Sequence, residues 1–213
     1  SFGKNGDAGD VTIVTPLLTL NNGGKITAES VTPDSGAPGT ITLNLDELVL
    51  SGGSFISTKT ASSSDGGPIT INTDSLHMLG AGSSISSSTS RNASGGDIIV
   101  NARDILLQDV AAIDANSTGA GFAGNISLAA AGSVSVLNQS RIKTSSAISG
   151  GGNISVNAID KIYLHNSGLT ASAQGQGPAD NGGNISIDPV FLILSGSSIV
   201  AKAFSGNGGI IEL

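Results

Sequence analysis

The sequence predicts an all-β fold, a right-handed parallel β-helix with three strands per coil and about seven coils of 26–31 residues. Three observations predict it. The stretch Gly152-Asn153-Ile154-Ser155-Val156 recurs as Gly-x-aliphatic-x-aliphatic, with further copies beginning at Gly9, Gly39, Gly67, Gly96, Gly124, Gly183 and Gly209. Two more alternating patterns follow each copy at steady offsets. The composition is rich in Gly, Ser, Thr and Asn and poor in helix formers, as a β-protein with many turns requires. Self-similarity of this period along a whole chain marks a solenoid, because one repeat alone cannot bury its apolar face. Residues 1–213 therefore form a single domain, with coils starting near residues 9, 39, 67, 96, 124, 152 and 183 and an incomplete coil from 209.

The first strand carries the aliphatics Val11, Ile41, Ile69, Ile98, Ile126, Ile154, Ile185 and Ile211. The second carries Leu18/Leu20, Leu48/Leu50, Leu76/Met78, Ile105/Leu107, Val134/Val136, Ile162/Leu164 and Leu192/Leu194. The third begins on Ile26, Ile56, Ile85, Ile113, Ile142, Leu169 and Ile199, each followed two residues later by Ala, Ser or Thr where the core narrows. Strict alternation places these side chains on one face. Gaps between strands are too short for the crossover that neighbouring parallel strands need. A hairpin meander fails too, because an odd number of strands per repeat would reverse every second repeat. Pairing each strand with its counterpart one repeat later stacks every equivalent residue, and parallel connections of this kind are right-handed.

Composition excludes several functions. The net charge is −7, from 9 basic and 16 acidic residues, and the basic residues stand singly. Nucleic acid binding would need them clustered. The run Val190-Phe191-Leu192-Ile193-Leu194 is far too short to span a bilayer. Cysteine is absent, so there are neither disulfides nor thiolate metal sites. No phosphate-binding loop, dinucleotide fingerprint, HExxH or GxSxG element is present.

Four sets of residues remain as candidates. Asn44, Asn72, Asn101, Asn157 and Asp188 share one offset after the first strand, broken by Val14 and Ala129. Asn tolerates left-handed turn geometry and stacked amides bond coil to coil, so this set reads as a structural turn ladder. The glycine before each first strand reads as a position of positive φ or close approach. Outward residues of the first strand, Thr12, Thr42, Thr70, Ser127, Ser155 and Ser186, with Ile99 among them, make a hydroxyl-rich face suited to glycans. Outward residues of the second, Val49, His77, Leu106, Tyr163 and Ile193, make an apolar face suited to lateral contact. The nearest approach to a metal site is Asp46, Asp74 and Asp104, with Arg103 placed to neutralise them. No catalytic set, resident metal or cofactor is expected. The six Asn-x-Ser/Thr triplets, such as Asn153-Ile154-Ser155, read as a by-product of the repeat.

Repeats such as Gly183-Asn184-Ile185-Ser186-Ile187-Asp188-Pro189, then Leu192-Ile193-Leu194, then Ser197-Ser198-Ile199-Val200-Ala201, resemble those of the filamentous-haemagglutinin-like exoproteins of two-partner secretion. The similarity covers the whole chain and is best over 152–213. It implies a secreted or surface-displayed β-helix of a Gram-negative bacterium, acting in adhesion, aggregation or matrix building and not in catalysis. The family's amino-terminal secretion domain has no counterpart here, so the resemblance implies an internal or carboxy-terminal piece, with the outer-membrane transporter recognised elsewhere. Self-association, end to end or lateral, and surface glycans are the expected partners. The alternatives are a filament or sheath subunit stacked head to tail through uncapped ends, and a polysaccharide-active β-helix enzyme.

Overall fold

The computed structural model of the chain describes residues 6–213, and among these every regular element is a β-strand. The first two coils contain β1 (Val11–Leu20) with β2 (Lys25–Thr27) and β3 (Ile41–Ser51) with β4 (Phe55–Ser57). The third contains β5 (Ile69–Asn72), β6 (Ser75–Leu79) and β7 (Ser84–Ser86). The fourth contains β8 (Ile98–Ala102), β9 (Asp104–Gln108) and β10 (Ala112–Ser117), and the fifth β11 (Ile126–Ala130), β12 (Ser133–Leu137) and β13 (Arg141–Ser146). Then follow β14 (Ile154–His165) with β15 (Gly168–Ala173), β16 (Ile185–Ser195) with β17 (Ser198–Ala203), and β18 (Ile211–Glu212).

Every pairing is parallel and joins a strand to its counterpart one coil away, as the repeat predicts. The register is that of the repeat: Val11, Ile41, Ile69, Ile98, Ile126, Ile154, Ile185 and Ile211 form one unbroken column. The three predicted strands per coil fall into two sheets. First and second strands share an 11-stranded sheet, and third strands form a 7-stranded sheet. In four coils the first two strands run on as one, as in β1, β3, β14 and β16, so the predicted gap is a bend within a continuous strand.

The core lies between these sheets. Leu43, Leu48, Ile56, Ile71, Ile105, Ile113, Val134 and Leu164 are among the fully buried side chains, while Val11, Leu18, Leu192 and Ile199 in the outer coils are only partly covered. Each buried Ile or Leu contributes roughly 1.5–3 kcal/mol, so the middle coils carry most of the stability. At the end of the third strand, the buried Ser87 and Thr144 hydroxyls donate to the carbonyls of Gly67 (2.8 Å) and Gly152 (2.7 Å). These bonds let hydroxyls replace alanine in the core without leaving a polar atom unpartnered.

The glycine column is explained by contact and not by φ. None of Gly39, Gly67, Gly96, Gly124, Gly152, Gly183 and Gly209 has a positive φ. A Cβ on any of them would instead drive into the carbonyl of the equivalent glycine one coil before. The left-handed column lies elsewhere, two residues past the second strand's last core aliphatic: Asn22, Gly52, Gly80, Asp109, Asn138, Asn166 and Gly196, with φ between 47° and 86°. Only Gly, Asn and Asp occupy it, the residues that tolerate this geometry.

Candidate functional site

At the bend between first and second strands the surface is re-entrant, and a groove of about 1390 Å³ runs lengthwise along the solenoid. Each of seven coils contributes three consecutive residues to it: 14–16, 44–46, 72–74, 101–103, 129–131, 157–159 and 188–190. The sequence predicts no groove, because neither its concavity nor the direction of the bend is encoded in periodicity.

The amide set lies within this groove. Asn44, Asn72, Asn101, Asn157 and Asp188 are extended strand residues, not left-handed turn residues, which corrects the turn assignment. Alternation turns them outward because Leu43 and Ile71 beside them point into the core. Asn72 Nδ2 donates to Asn44 Oδ1 (2.8 Å) and Asn101 Nδ2 to Asn72 Oδ1 (2.9 Å), so the ladder forms over three coils. Ala129 interrupts it. Most of the lining beside these amides is apolar: Val14, Ile159 and Val190 are 76%, 64% and 69% exposed.

Asp46 and Asp74 also line the groove, and the Asp74 N–H donates to the Asp46 carbonyl at 3.0 Å. Asp104 does not stack with them. It pairs in register with Ser75, which itself pairs with Glu47, one column further on. Its carboxylate accepts from the Ser133 N–H (3.0 Å) and lies 3.4 Å from Arg103 Nε. Arg103 therefore turns to its neighbour and not to the two groove acids as expected. Among the described residues no group of three or more His, Asp or Glu side chains is placed to hold a metal ion.

The hydroxyl-rich face forms one bank. Thr12, Thr42, Thr70, Ile99, Ser127, Ser155 and Ser186 are in register, two residues before the amide column on the same side of the sheet. The other bank leads to the apolar column Val49, His77, Leu106, Tyr163 and Ile193, also in register, with Ser135 between Leu106 and Tyr163. His77 Nδ1 lies 3.8 Å from Glu47 Oε1. Tyr163 and His165 stand with ring centroids 6.1 Å apart, and His165 Nδ1 is 3.2 Å from Ser195 Oγ. Sequence features that read as separate candidates thus flank a single corner.

A second ladder escapes the sequence reading. The x of Gly-x-aliphatic is acidic or amidic at Asp10, Asp97, Asn125, Asn153 and Asn184, and each side-chain oxygen accepts the backbone N–H of the equivalent residue one coil on. Three of the Asn-x-Ser/Thr triplets thus carry a structural role, since Asn125, Asn153 and Asn184 brace successive coils. The signal was present, because Asp or Asn occupies that position in five of eight copies. The Asp10 carboxyl is held below its ordinary value by the Thr40 backbone N–H and, secondly, by the Thr40 side chain.

No family model matches the chain, and no curated protein or solved structure matches it either.

Proposed function

We propose that the chain is an extracellular structural and adhesive β-helix, a stalk section of a filamentous-haemagglutinin-like exoprotein, and that it works by presenting repeated surfaces instead of catalysing a reaction. The observation that carries this reading is the coil-to-coil register, continuous along each strand and shifted by one residue at the bend, as between Ala158 and Lys161. It turns every outward position into a row: hydroxyls on one bank, amides in the corner, apolar residues beyond. Seven coils at the spacing of paired strands make a rod roughly 34 Å long. Rows of similar groups suit many weak, additive contacts with a repetitive partner, where avidity replaces single-site affinity. An enzyme would instead concentrate unlike reactive groups at one point.

The test is attachment. Inert beads coated with the 213-residue chain should bind to glycan-bearing cell surfaces or extracellular matrix, or clump with one another. Clumping should fall when Tyr163→Lys and Ile193→Lys are combined, since that change charges the apolar row. Coated beads that neither attach nor clump would remove the adhesive reading. Release of reducing ends from a polysaccharide by the chain would replace it with the enzymatic one.

A further inference from the structure

We propose that the lengthwise groove seats an uncharged, extended polysaccharide, its chain parallel to the solenoid axis and about one sugar ring to each coil. The inference deepens the adhesive reading and rests on it only for biological purpose; the groove's chemistry argues it independently.

The groove is amphipathic in the manner of a pyranose ring. Its amides meet hydroxyl edges, while side chains such as Val14, Ile159 and Val190 meet the C–H faces. A carboxamide has two N–H donors and two acceptor sites. The ladder bonds between Asn44, Asn72 and Asn101 use one donor and one acceptor at each junction, leaving capacity directed at the groove. Those bonds also fix the amide orientations in advance, which lowers the ordering cost of binding.

Other occupants fit less well. A polyanion would meet the carboxylates of Asp46, Asp74 and Asp188, against a cation, Arg103, already beside Asp104. An extended peptide repeats its side chains about every 6.7 Å and cannot keep step with coils about 4.8 Å apart. It also binds best at an open strand edge, and here the interior strands spend their backbone groups on the coils above and below. An acyl chain would strip water from the remaining amide donors and acceptors and give them no partner in return. A polymer of sugar rings advances by close to one coil per ring and satisfies both kinds of lining.

The experiment titrates the intact 213-residue chain calorimetrically with cellohexaose and xylohexaose as neutral extended probes, and with hexagalacturonate as the anionic one. Two variants accompany it. Ala129→Arg fills the middle of the groove, and Asn157→Arg does so from an exposed position should the first fail to fold, with circular dichroism reporting folding. At least one neutral probe should bind, and each folded variant should weaken it at least about tenfold. Absence of binding by both neutral probes, binding that neither variant moves, or tighter binding of hexagalacturonate would each overturn the proposal. If the variants change only self-association, the occupant is a second copy of the chain and the proposal fails. The bead assay runs in parallel: hexasaccharide binding with no attachment sinks the adhesive reading and leaves the groove, and attachment without hexasaccharide binding does the reverse.

Discussion

Asn72 donates through Nδ2 to Asn44 Oδ1 across 2.8 Å, joining residues 28 apart in sequence and one coil apart in space. The same Asn72 accepts from Asn101 Nδ2 at 2.9 Å, so a single side chain links three coils. Replacing it with Ala removes both bonds and leaves Asn44, half-buried, and Asn101, exposed, to bond to water instead. One bond is part-buried and the other exposed, so we expect Asn72→Ala to cost about 0.5–1.5 kcal/mol, measured by urea denaturation. A change at Asn157, where Ala129 has already interrupted the ladder, should cost less than about 0.5 kcal/mol.

The glycine column makes a sharper prediction. A Cβ at Gly124 would run into the Gly96 carbonyl, a backbone atom that cannot turn aside. Gly124→Ala should therefore destabilise by roughly 1–3 kcal/mol or more. At Gly208 the nearest atom would be the Ala201 carbonyl oxygen at 3.4 Å, an ordinary contact, so Gly208→Ala is the matched control and should stay within about 0.5 kcal/mol. Because Gly→Ala also reduces the entropy of the unfolded chain, which by itself stabilises, equal losses at both sites would mean that the contact with the preceding coil does not explain the column.

Val110 has φ of 71° at a position where two other coils carry Gly23 and Gly53. Its branched Cβ is disfavoured in this region, by roughly 1–2 kcal/mol, and the residue is 39% exposed, so incomplete burial offsets only part of the strain. Val110→Gly should raise stability by up to about 1 kcal/mol, seen as a higher Tm. A lower Tm would show that packing of the Val110 side chain outweighs its backbone cost.

Asp10 supplies a pH prediction. The Thr40 N–H donates to Asp10 Oδ1 at 2.8 Å and lowers its pKa from 3.8. A carboxylate with a lowered folded value adds stability that is complete above its unfolded pKa and is lost as pH falls through the folded one. An NMR titration should place the Asp10 midpoint below that of an ordinary aspartate. Thr40→Pro removes the donor, and Pro68 already occupies the equivalent place one coil on, so the backbone tolerates it. That variant should return Asp10 to its ordinary midpoint without unfolding the chain.

The core and its register were readable because they depend on local alternation repeated at long range. Ile98 is assigned beneath Ile69 from spacing alone, and the two are in-register partners on the parallel strands β5 and β8. The left-handed column is equally legible in principle, since Asn22, Gly52, Asn138 and Gly196 are residues that accept positive φ, yet residue type points as readily to Asn44 and Asn72, which are extended. It failed there because Asn serves both a turn and an outward strand position, and residue type alone does not separate the two. Arg103 shows the other kind of failure. Its spacing placed it near Asp46 and Asp74, but a flexible side chain chose the adjacent Asp104.

By itself, then, the sequence determined the solenoid, its seven coils, its parallel register and which side chains form the core, because period and alternation act identically in every repeat. Only the tertiary structure decided that first and second strands bend within one sheet, that the bend is concave outward, and that hydroxyl, amide and acidic rows therefore meet along one groove. The reason is that concavity belongs to the shape of a whole coil. It depends on the sum of many backbone angles, whereas a row depends only on where each repeat begins.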